Sequence, residues 1–373
     1  MITTDPFLAC AARLRDFIGT TLPPRDSFPS TETLFNELAL ELFALQFRHN
    51  APYQRLCEAR AVTPATVSHW SSIPAVPTAA FKELDLTSLP PDGRTTFFHS
   101  SGTTGQRPSR HFHDTRSLAL YEASLLAWSA PHLFADREAE ERMDLLILAP
   151  SPALAPHSSL VHMLETLRGR FGSVRSRFAC TLAADGAWQA DLQTADELLE
   201  QSLATGRPLL LIGTAFLFVT LLDALAAQGR RITLPARSRV METGGYKGRT
   251  RALPQMELHA LITDRLDVPA EGIVCEYGMC ELGSQAYDRA AFSSAGQRRH
   301  LFPPWARSQV VSPETGCEVE EGGAGLLRIF DLANTRSVLA IQTEDLALRR
   351  GDGFELLGRA AFAENRGCSL MTA

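Results

Sequence analysis

Apolar positions recur at helical spacing near the start of the chain. Leu34, Leu38, Leu42 and Leu45 lie three or four residues apart, which is the spacing of one face of a helix. Ser30 is placed to cap the start of this run. The pattern therefore predicts that the first 60 residues are mainly helical.

From about residue 144, short apolar runs alternate with amphipathic stretches. The runs predict buried strands over Asp144–Leu148, Leu209–Gly213, Arg239–Glu242 and Gly272–Glu276. Helical stretches follow the first three of them at Leu160–Leu167, Phe216–Gln228 and Leu253–Leu266. The alternation predicts an α/β fold, a mostly parallel sheet with helices on both faces. In such a fold ligands bind where strands end, at their carboxyl ends.

The pattern changes after about Pro303. Strand-like runs at Val310–Val311, Gly325–Phe330, Val338–Gln342 and Phe354–Gly358 are separated by turns rich in Glu, Gly and Asp. They predict a small antiparallel β subdomain. We therefore expect an α/β core over residues 1–302, this subdomain over 303–360 and a tail over 361–373 that carries a cysteine.

Composition narrows the function classes. The 373 residues are 45% hydrophobic, enough for a substantial core, and the net charge of −6 comes with no basic block that could follow a nucleic-acid backbone. Neither an export signal nor an apolar run of membrane-spanning length is evident, so we expect a cytoplasmic protein. The seven cysteines form no C-x-x-C pair, which argues against structural zinc and a disulfide framework.

The strongest candidate for ligand binding is the run Ser100–Gly105. All six residues, Ser100, Ser101, Gly102, Thr103, Thr104 and Gly105, carry a hydroxyl or no side chain, so backbone N–H groups and hydroxyls could surround a phosphate. A solvated turn is the alternative. The run lacks the spacing and the lysine of a Walker A loop.

Two acidic residues follow predicted strands. Glu281, in the run Cys275–Leu282, would emerge at the ligand end of the sheet, where a carboxylate could hold a divalent cation; it could equally be the first residue of a helix. Asp345 could bind a ribose diol, or belong to a surface acidic pair. The glycines of Met241–Arg249 suit close approach to a flat ring, or a tight turn.

Three further residues have chemistry of their own. His111 and His113 would face one way in a strand, which permits a metal pair, but further ligands are not evident and a polar strand face is favoured. Cys368 follows Arg366 and Gly367; a nearby cation lowers the pKa of a thiol, so a nucleophile is reasonable, although terminal cysteines are usually incidental. Neither G-x-S-x-G nor G-x-G-x-x-G is present.

In combination, these motifs resemble a known family. The loop FHSSGTTG, the run EYGMCEL and the triplet TED, in this order, resemble the phosphate loop, the Y-G-x-T-E motif and the ribose-binding Asp motif of the adenylate-forming superfamily. FNELALELFALQF, PTAAFKELDL, ETGGYKGRTR and LGRAAFAENRGCSL extend the resemblance to the LuxE-type acyl-protein synthetases, from about residue 34 to the end.

The resemblance implies a role for each matching position. Ser100–Gly105 would surround the phosphates of ATP, Gly244 and Gly245 would lie against the adenine, and the Tyr277–Gly278–Met279 segment would border it, with Tyr277 stacked nearby. Glu281 would hold magnesium. Asp345 and Arg359 would bind the ribose, and Cys368 would accept the acyl group.

The implied fold is the N-terminal domain of an adenylate-forming enzyme, without the superfamily's mobile second domain. The implied activity is ATP-dependent and AMP-forming: a carboxylic acid, expected to be fatty, becomes an acyl adenylate, passes to Cys368 as a thioester and then to a protein partner such as an acyl reductase. Two alternatives remain open, transfer to CoA, a carrier protein or an amine, and a non-catalytic nucleotide-binding protein.

Two departures from the superfamily bear on these alternatives. Its lysine after the phosphate loop is missing, with only Arg107 and Arg110 nearby, and Cys280 replaces a threonine that usually contacts phosphate.

Overall fold

The computed structural model describes residues 5–20, 31–100, 107–138, 140–184, 186–245, 250–293 and 296–359. The α-helices in these ranges are α1 (Leu8–Thr20), α2 (Thr31–His49), α3 (Ala51–Ala59), α4 (Ala80–Glu83), α5 (Thr115–Leu133), α6 (Ser159–Phe171), α7 (Leu192–Thr205), α8 (Ala215–Ala227) and α9 (Gln255–Leu266). Among them, none has the length and apolar character needed to cross a bilayer.

The strands of the same ranges are β1 (Val76–Pro77), β2 (Thr96–His99), β3 (Arg110–His113), β4 (Asp144–Leu148), β5 (Arg177–Phe178), β6 (Cys180–Leu182), β7 (Trp188–Ala190), β8 (Leu209–Thr214), β9 (Arg239–Thr243), β10 (Ile273–Tyr277), β11 (Ala286–Tyr287), β12 (Ala306–Val311), β13 (Ala324–Asp331), β14 (Ala340–Arg350) and β15 (Gly353–Arg359).

A central sheet runs in the order β11-β10-β9-β8-β4-β5. Its neighbours are parallel except for the antiparallel pair of β10 and β11. The strands β4, β8, β9 and β10 are buried at every position, as expected for a parallel sheet covered on both faces. The predicted α/β architecture is thus confirmed.

Alternation along β4 shows how the two faces are filled. Leu145 and Ile147 pack in one cluster with α5 and α6 residues, whereas Leu146 and Leu148 pack in another with α7, α8 and α9. Successive strand residues point to opposite faces, so a continuous apolar run contributes residues to both clusters. Gly213 on β8 permits close approach here, because a Cβ on it would collide with the backbone of Leu148.

A second sheet has the order β1-β14-β13-β12, and β15 also pairs with β14. The pairs among β12, β13, β14 and β15 are antiparallel, and β1 joins β14 in parallel. Residues of this sheet, including Ile329 and Ile341, share one hydrophobic cluster with Leu145 of the central sheet. The second sheet is therefore packed against the rest of the chain through a continuous core.

A short hairpin of β2 and β3 leads into α5. His113 is the last residue of β3, and Asp114 caps α5 by accepting a hydrogen bond from the Ser117 N–H, while the Ser117 hydroxyl bonds back to the Asp114 N–H. This reciprocal cap satisfies N–H groups at the helix start that would otherwise lack partners. It fixes the start of α5 immediately after the hairpin.

Candidate functional site

The base of the candidate phosphate loop is closed by two serines. The Ser100 N–H donates to the Ser109 carbonyl at 3.2 Å, and the Ser109 N–H donates to the Ser100 hydroxyl at 2.9 Å. Ser101, Gly102, Thr103, Thr104 and Gly105 lie outside the described residues. The described part therefore places the two ends of the loop at the tip of the β2–β3 hairpin.

Glu281 lies directly against this loop base. The Ser109 hydroxyl donates to Glu281 Oε1 at 2.5 Å, and the Asn334 side-chain amide donates to the Glu281 carbonyl at 2.8 Å. Glu281 is buried and lies in a turn after β10 rather than at a helix start. The Ser109 hydroxyl thus holds the Glu281 carboxylate beside the phosphate-loop candidate, and the Asn334 amide holds the Glu281 backbone.

Cys280 and His111 add contacts between the β2–β3 hairpin and the turn that follows β10. His111 Nδ1 donates to the Cys280 carbonyl at 2.7 Å, and Cys280 Sγ lies 3.3 Å from the Ser109 hydroxyl. Burial raises the pKa of the Cys280 thiol, and the neighbouring Glu281 carboxylate adds to the effect. Cys280 is therefore a neutral thiol at the position where the superfamily resemblance expects a hydroxyl.

Tyr277, Asp345 and Arg359 form a second group. The Tyr277 hydroxyl donates to Asp345 Oδ2 at 2.7 Å, and Arg359 Nε lies 3.7 Å from Asp345 Oδ1. Asp345 and Arg359 are direct partners across β14 and β15. Burial raises the pKa of Asp345, against the opposing effects of the Tyr277 hydrogen bond and the Arg359 charge. The structure thus brings together an aromatic ring, a carboxylate and a guanidinium that lie far apart in sequence.

The glycines of the two motifs differ in their surroundings. Gly244 and Gly245 follow β9 and are exposed; a Cβ on Gly244 would meet open space, and Gly245 has a φ of 112°, a conformation that favours glycine. Gly278 is different, since a Cβ there would overlap Glu276 Oε1. The half-buried Met279 follows it on the turn towards Glu281.

The cation and metal candidates differ in their surroundings. Arg107 is exposed, whereas Arg110 pairs with Asp85 at 2.5 Å. His111 and His113 are both buried on β3. Burial lowers the pKa of His111 to about 4 and that of His113 well below its usual value. Within the described residues, His, Cys, Asp and Glu form no group of three that could hold a metal.

The sequence did not predict a role for three residues of the site. Ser109 and Asn334, which hold Glu281, are single polar residues in segments without a recognisable motif. Asp331 is another: it accepts hydrogen bonds from the Gly283 and Ala333 N–H groups and from the Ser284 hydroxyl, and burial raises its pKa to about 6. These side chains tie the turn after β10 to the second sheet. Cys368 lies outside the described residues.

The fold and the sequence both have known counterparts. A structure of 2-hydroxyisobutyryl-CoA ligase in an open conformation, in complex with 2-HIB-AMP and CoA, matches with a TM-score of 0.63 at 14% identity, over 91% of this chain and 79% of that one. This likeness confirms the expected adenylate-forming fold.

Two curated relatives are long-chain-fatty-acid–luciferin-component ligases. The Aliivibrio fischeri protein is 21% identical over 98% of this chain and 95% of its own length, and the Vibrio harveyi protein is 21% identical over 97% and 93%. The model of the family described as acyl-protein synthetase, LuxE, matches residues 5–373. The chain therefore belongs to the LuxE family of acyl-protein synthetases and is an AMP-forming ligase, as the sequence motifs predict.

Proposed function

We propose that this chain uses ATP to activate a carboxylic acid as an acyl adenylate and then transfers the acyl group to its own Cys368. The observation that carries the first step is the contact of Glu281 with Ser109 at the base of the phosphate-loop candidate. This contact holds a buried carboxylate next to the base of the loop, which supports the binding of a nucleotide's phosphates there. Membership of the LuxE family supports the second step.

The Tyr277, Asp345 and Arg359 group fits the nucleoside. A carboxylate accepts two hydrogen bonds from a ribose diol, and Arg359, across the strand pair, adds a donor. The Tyr277 hydroxyl orients the Asp345 carboxylate from one side. Gly244 leaves open space at the end of β9, which suits the edge of an adenine ring. We therefore propose that the nucleoside binds beside the carboxyl ends of β9 and β10, next to Asp345 on β14 and Arg359 on β15.

Glu281 fits a magnesium ion. Mg²⁺ is usually bound by one or two carboxylates together with substrate phosphates, and Glu281 is a buried carboxylate at the loop base. When bound, the ion would neutralise charge on the phosphates. Ser109 and Asn334 would keep the Glu281 carboxylate and its backbone in place, so the protein supplies a preorganised ligand.

The chemistry of the two steps follows from the groups involved. A carboxylate oxygen of the acid attacks the α-phosphorus of ATP, pyrophosphate leaves, and the acid becomes a mixed anhydride with AMP. The Cys368 thiolate then attacks the acyl carbon, the bond to AMP breaks, and a thioester forms. We propose that this thioester passes to a partner protein, such as an acyl reductase, which attacks the same carbon.

Pyrophosphate exchange tests the activation step. Wild type with ATP and magnesium should exchange radiolabelled pyrophosphate into ATP when a suitable acid is present, and Glu281→Gln should lower the rate at least 100-fold. The control Glu320→Gln changes an exposed carboxyl in a turn and should leave the rate unchanged. Absence of exchange with every member of a broad acid panel would refute the proposal.

Acyl transfer needs a separate assay. Radiolabelled acid should attach to the wild-type protein in a form that neutral hydroxylamine releases, as expected for a thioester. Cys368→Ala should abolish the label while pyrophosphate exchange continues. Labelling that survives this substitution would show that another group accepts the acyl chain, and preferential transfer to CoA would favour a CoA ligase.

A further inference from the structure

A row of polar side chains crosses the central sheet at the carboxyl ends of its strands. Thr214 on β8 pairs with Thr243 on β9, Thr243 with Glu276 on β10, and Glu276 with Tyr287 on β11. Directly paired residues of neighbouring strands point to the same face, so these four residues, here called the polar row, share one face. At the usual spacing of neighbouring strands, the row spans about 14 Å.

The polar row is buried, and part of its hydrogen-bonding capacity is unused. All four residues are at most 8% exposed. Among the described residues, the Thr214 hydroxyl and the Tyr287 hydroxyl have no hydrogen-bond partner, and neither has Gln285 Oε1. A buried polar group without a partner costs stability, and native structures leave few of them. The Thr214 and Tyr287 hydroxyls and Gln285 Oε1 are therefore available to hydrogen-bond a ligand that reaches this face of the sheet.

The surrounding side chains hold these groups in place. The Tyr287 ring stacks on His132 with centroids 4.8 Å apart and planes 22° from parallel. The Gln285 amide donates to the Tyr121 hydroxyl at 3.5 Å, which leaves Gln285 Oε1 as an acceptor. Thr243 donates a hydrogen bond to Glu276. The Tyr287 ring and the Gln285 side chain are therefore held in position, as a binding site requires.

The polar row adjoins the proposed nucleotide site. Glu276 directly precedes Tyr277, and the position of Gly278 lies against both Glu276 Oε1 and Gln285 Cγ. An acid that reacts with ATP must bring its carboxyl group to the phosphates beside Glu281, and the rest of the acid must lie close by. The row at the ends of β8, β9, β10 and β11 is next to that position and faces the α5 side of the sheet.

We propose that the polar row binds a hydroxyl or carbonyl substituent of the acid, so that the acid activated by this chain is an oxygen-substituted carboxylic acid rather than a plain alkanoic acid. This inference rests on the proposed function. The Thr214 and Tyr287 hydroxyls lie on strands at opposite ends of the row, so a substituent oxygen would accept from one or the other, and a hydroxyl near Tyr287 can also donate to Gln285 Oε1. An alkyl chain satisfies none of them, and sites built to hydrogen-bond a substituent discriminate strongly against analogues that lack it.

Two hydroxyl deletions separate binding from folding. Thr214→Val and Tyr287→Phe remove one oxygen each and nearly keep the shape. Because these hydroxyls have no hydrogen-bond partner in the part of the chain that the structure describes, both variants should melt at the wild-type temperature or above it when no acid is present. The control Thr220→Val removes a hydroxyl that bonds to the Phe216 carbonyl on α8, away from the polar row. A lower melting temperature in both row variants would show that the hydroxyls serve the fold, and would overturn the inference.

Matched acids provide the decisive measurement. The probes are decanoic acid against 3-hydroxydecanoic and 3-oxodecanoic acids, and benzoic against 4-hydroxybenzoic acid. At least one oxygen-substituted acid should raise the melting temperature of wild type more than its parent does. Its advantage in kcat/KM for pyrophosphate exchange should fall at least tenfold, about 1.4 kcal/mol, in Thr214→Val or Tyr287→Phe, but not in Thr220→Val.

Thermal stabilisation and pyrophosphate exchange distinguish a failure of this inference from a failure of the proposed function. Thermal stabilisation by a substituted acid that is lost in the row variants, without any pyrophosphate exchange, would retain the inference and refute the proposed function. Exchange in which every parent acid matches its substituted partner, or a ratio that the row variants leave unchanged, would overturn the inference and retain the proposed function. Absence of stabilisation by every acid would overturn the inference as well.

Discussion

The carboxyl group of Glu276 should make the stability of this protein depend on pH near neutrality. It is buried at the end of β10. Burial raises its pKa from the usual 4.5 to about 7, the hydrogen bond from Thr243 opposes this, and the nearby Glu242 carboxylate adds to it. Replacing Glu276 with Gln keeps the size and removes the ionisation, so Glu276→Gln isolates the effect.

The sign follows from proton binding. Below pH 4.5 the group is protonated in both the folded and the unfolded chain. Between 4.5 and about 7 the unfolded chain releases the proton and the folded chain retains it, so the free energy of unfolding falls as pH rises. The difference between 4.5 and about 7, at about 1.36 kcal/mol per pH unit, gives a loss of about 3 kcal/mol that is complete above pH 7.

Denaturant unfolding of wild type and Glu276→Gln at pH 4.5, 6 and 8 measures this loss. The stability of the variant relative to wild type should increase by about 3 kcal/mol between the first and last pH, while every other titrating group cancels in the comparison. The exposed control Glu320→Gln should show no such change. If the difference between Glu276→Gln and wild type is the same at all three pH values, Glu276 ionises normally in the fold and the reasoning is refuted.

Two further predictions concern the site. Ser109→Ala removes the hydroxyl that donates to Glu281. A hydrogen bond to a charged group contributes about 1.5–3 kcal/mol, so kcat/KM for pyrophosphate exchange should fall about 10- to 100-fold. An unchanged dependence of the rate on magnesium would contradict a role of Ser109 in positioning the Glu281 carboxylate. Tyr277→Phe removes the hydroxyl that donates to the Asp345 carboxylate. It should raise the KM for ATP about fivefold, which corresponds to about 1 kcal/mol, with little change in kcat. An unchanged KM for ATP would exclude a role of Tyr277 in orienting Asp345.

The sheet could be read from the sequence because its strands carry strong local signals. Asp144–Leu148 has the same bounds in the structure as in the prediction, and the predicted Leu209–Gly213 is one residue longer. Strands buried on both faces are continuous apolar runs, which stand out beside amphipathic helices. The strand predicted over Gly272–Glu276 is shifted by one residue in the structure, where it spans Ile273–Tyr277. An apolar run does not show at which residue the strand begins or ends.

Contacts between distant segments could not be read in the same way. Ser109 and Glu281 are 172 positions apart, and a single serine gives no pattern that would reveal its partner. Asp331 sits at the end of an apolar strand, where its carboxylate organises a turn some 50 residues earlier. The two-residue strand β1 adds a parallel neighbour to β14 from the N-terminal half of the chain, and two residues are too few to form a recognisable strand pattern.

One strand end connects the two proposed binding functions. Glu276 and Tyr277 are consecutive on β10, so their side chains leave the strand in opposite directions: Tyr277 reaches Asp345 on the second sheet, and Glu276 joins the polar row. Because a Cβ at position 278 would overlap the Glu276 carboxyl, glycine is needed for the chain to turn towards Glu281 while Glu276 stays in the row. Gly278, which belongs to the predicted nucleotide motif, therefore also leaves room for Glu276, the residue proposed to lie beside the acid. The end of β10 would thus contribute to the binding of both substrates.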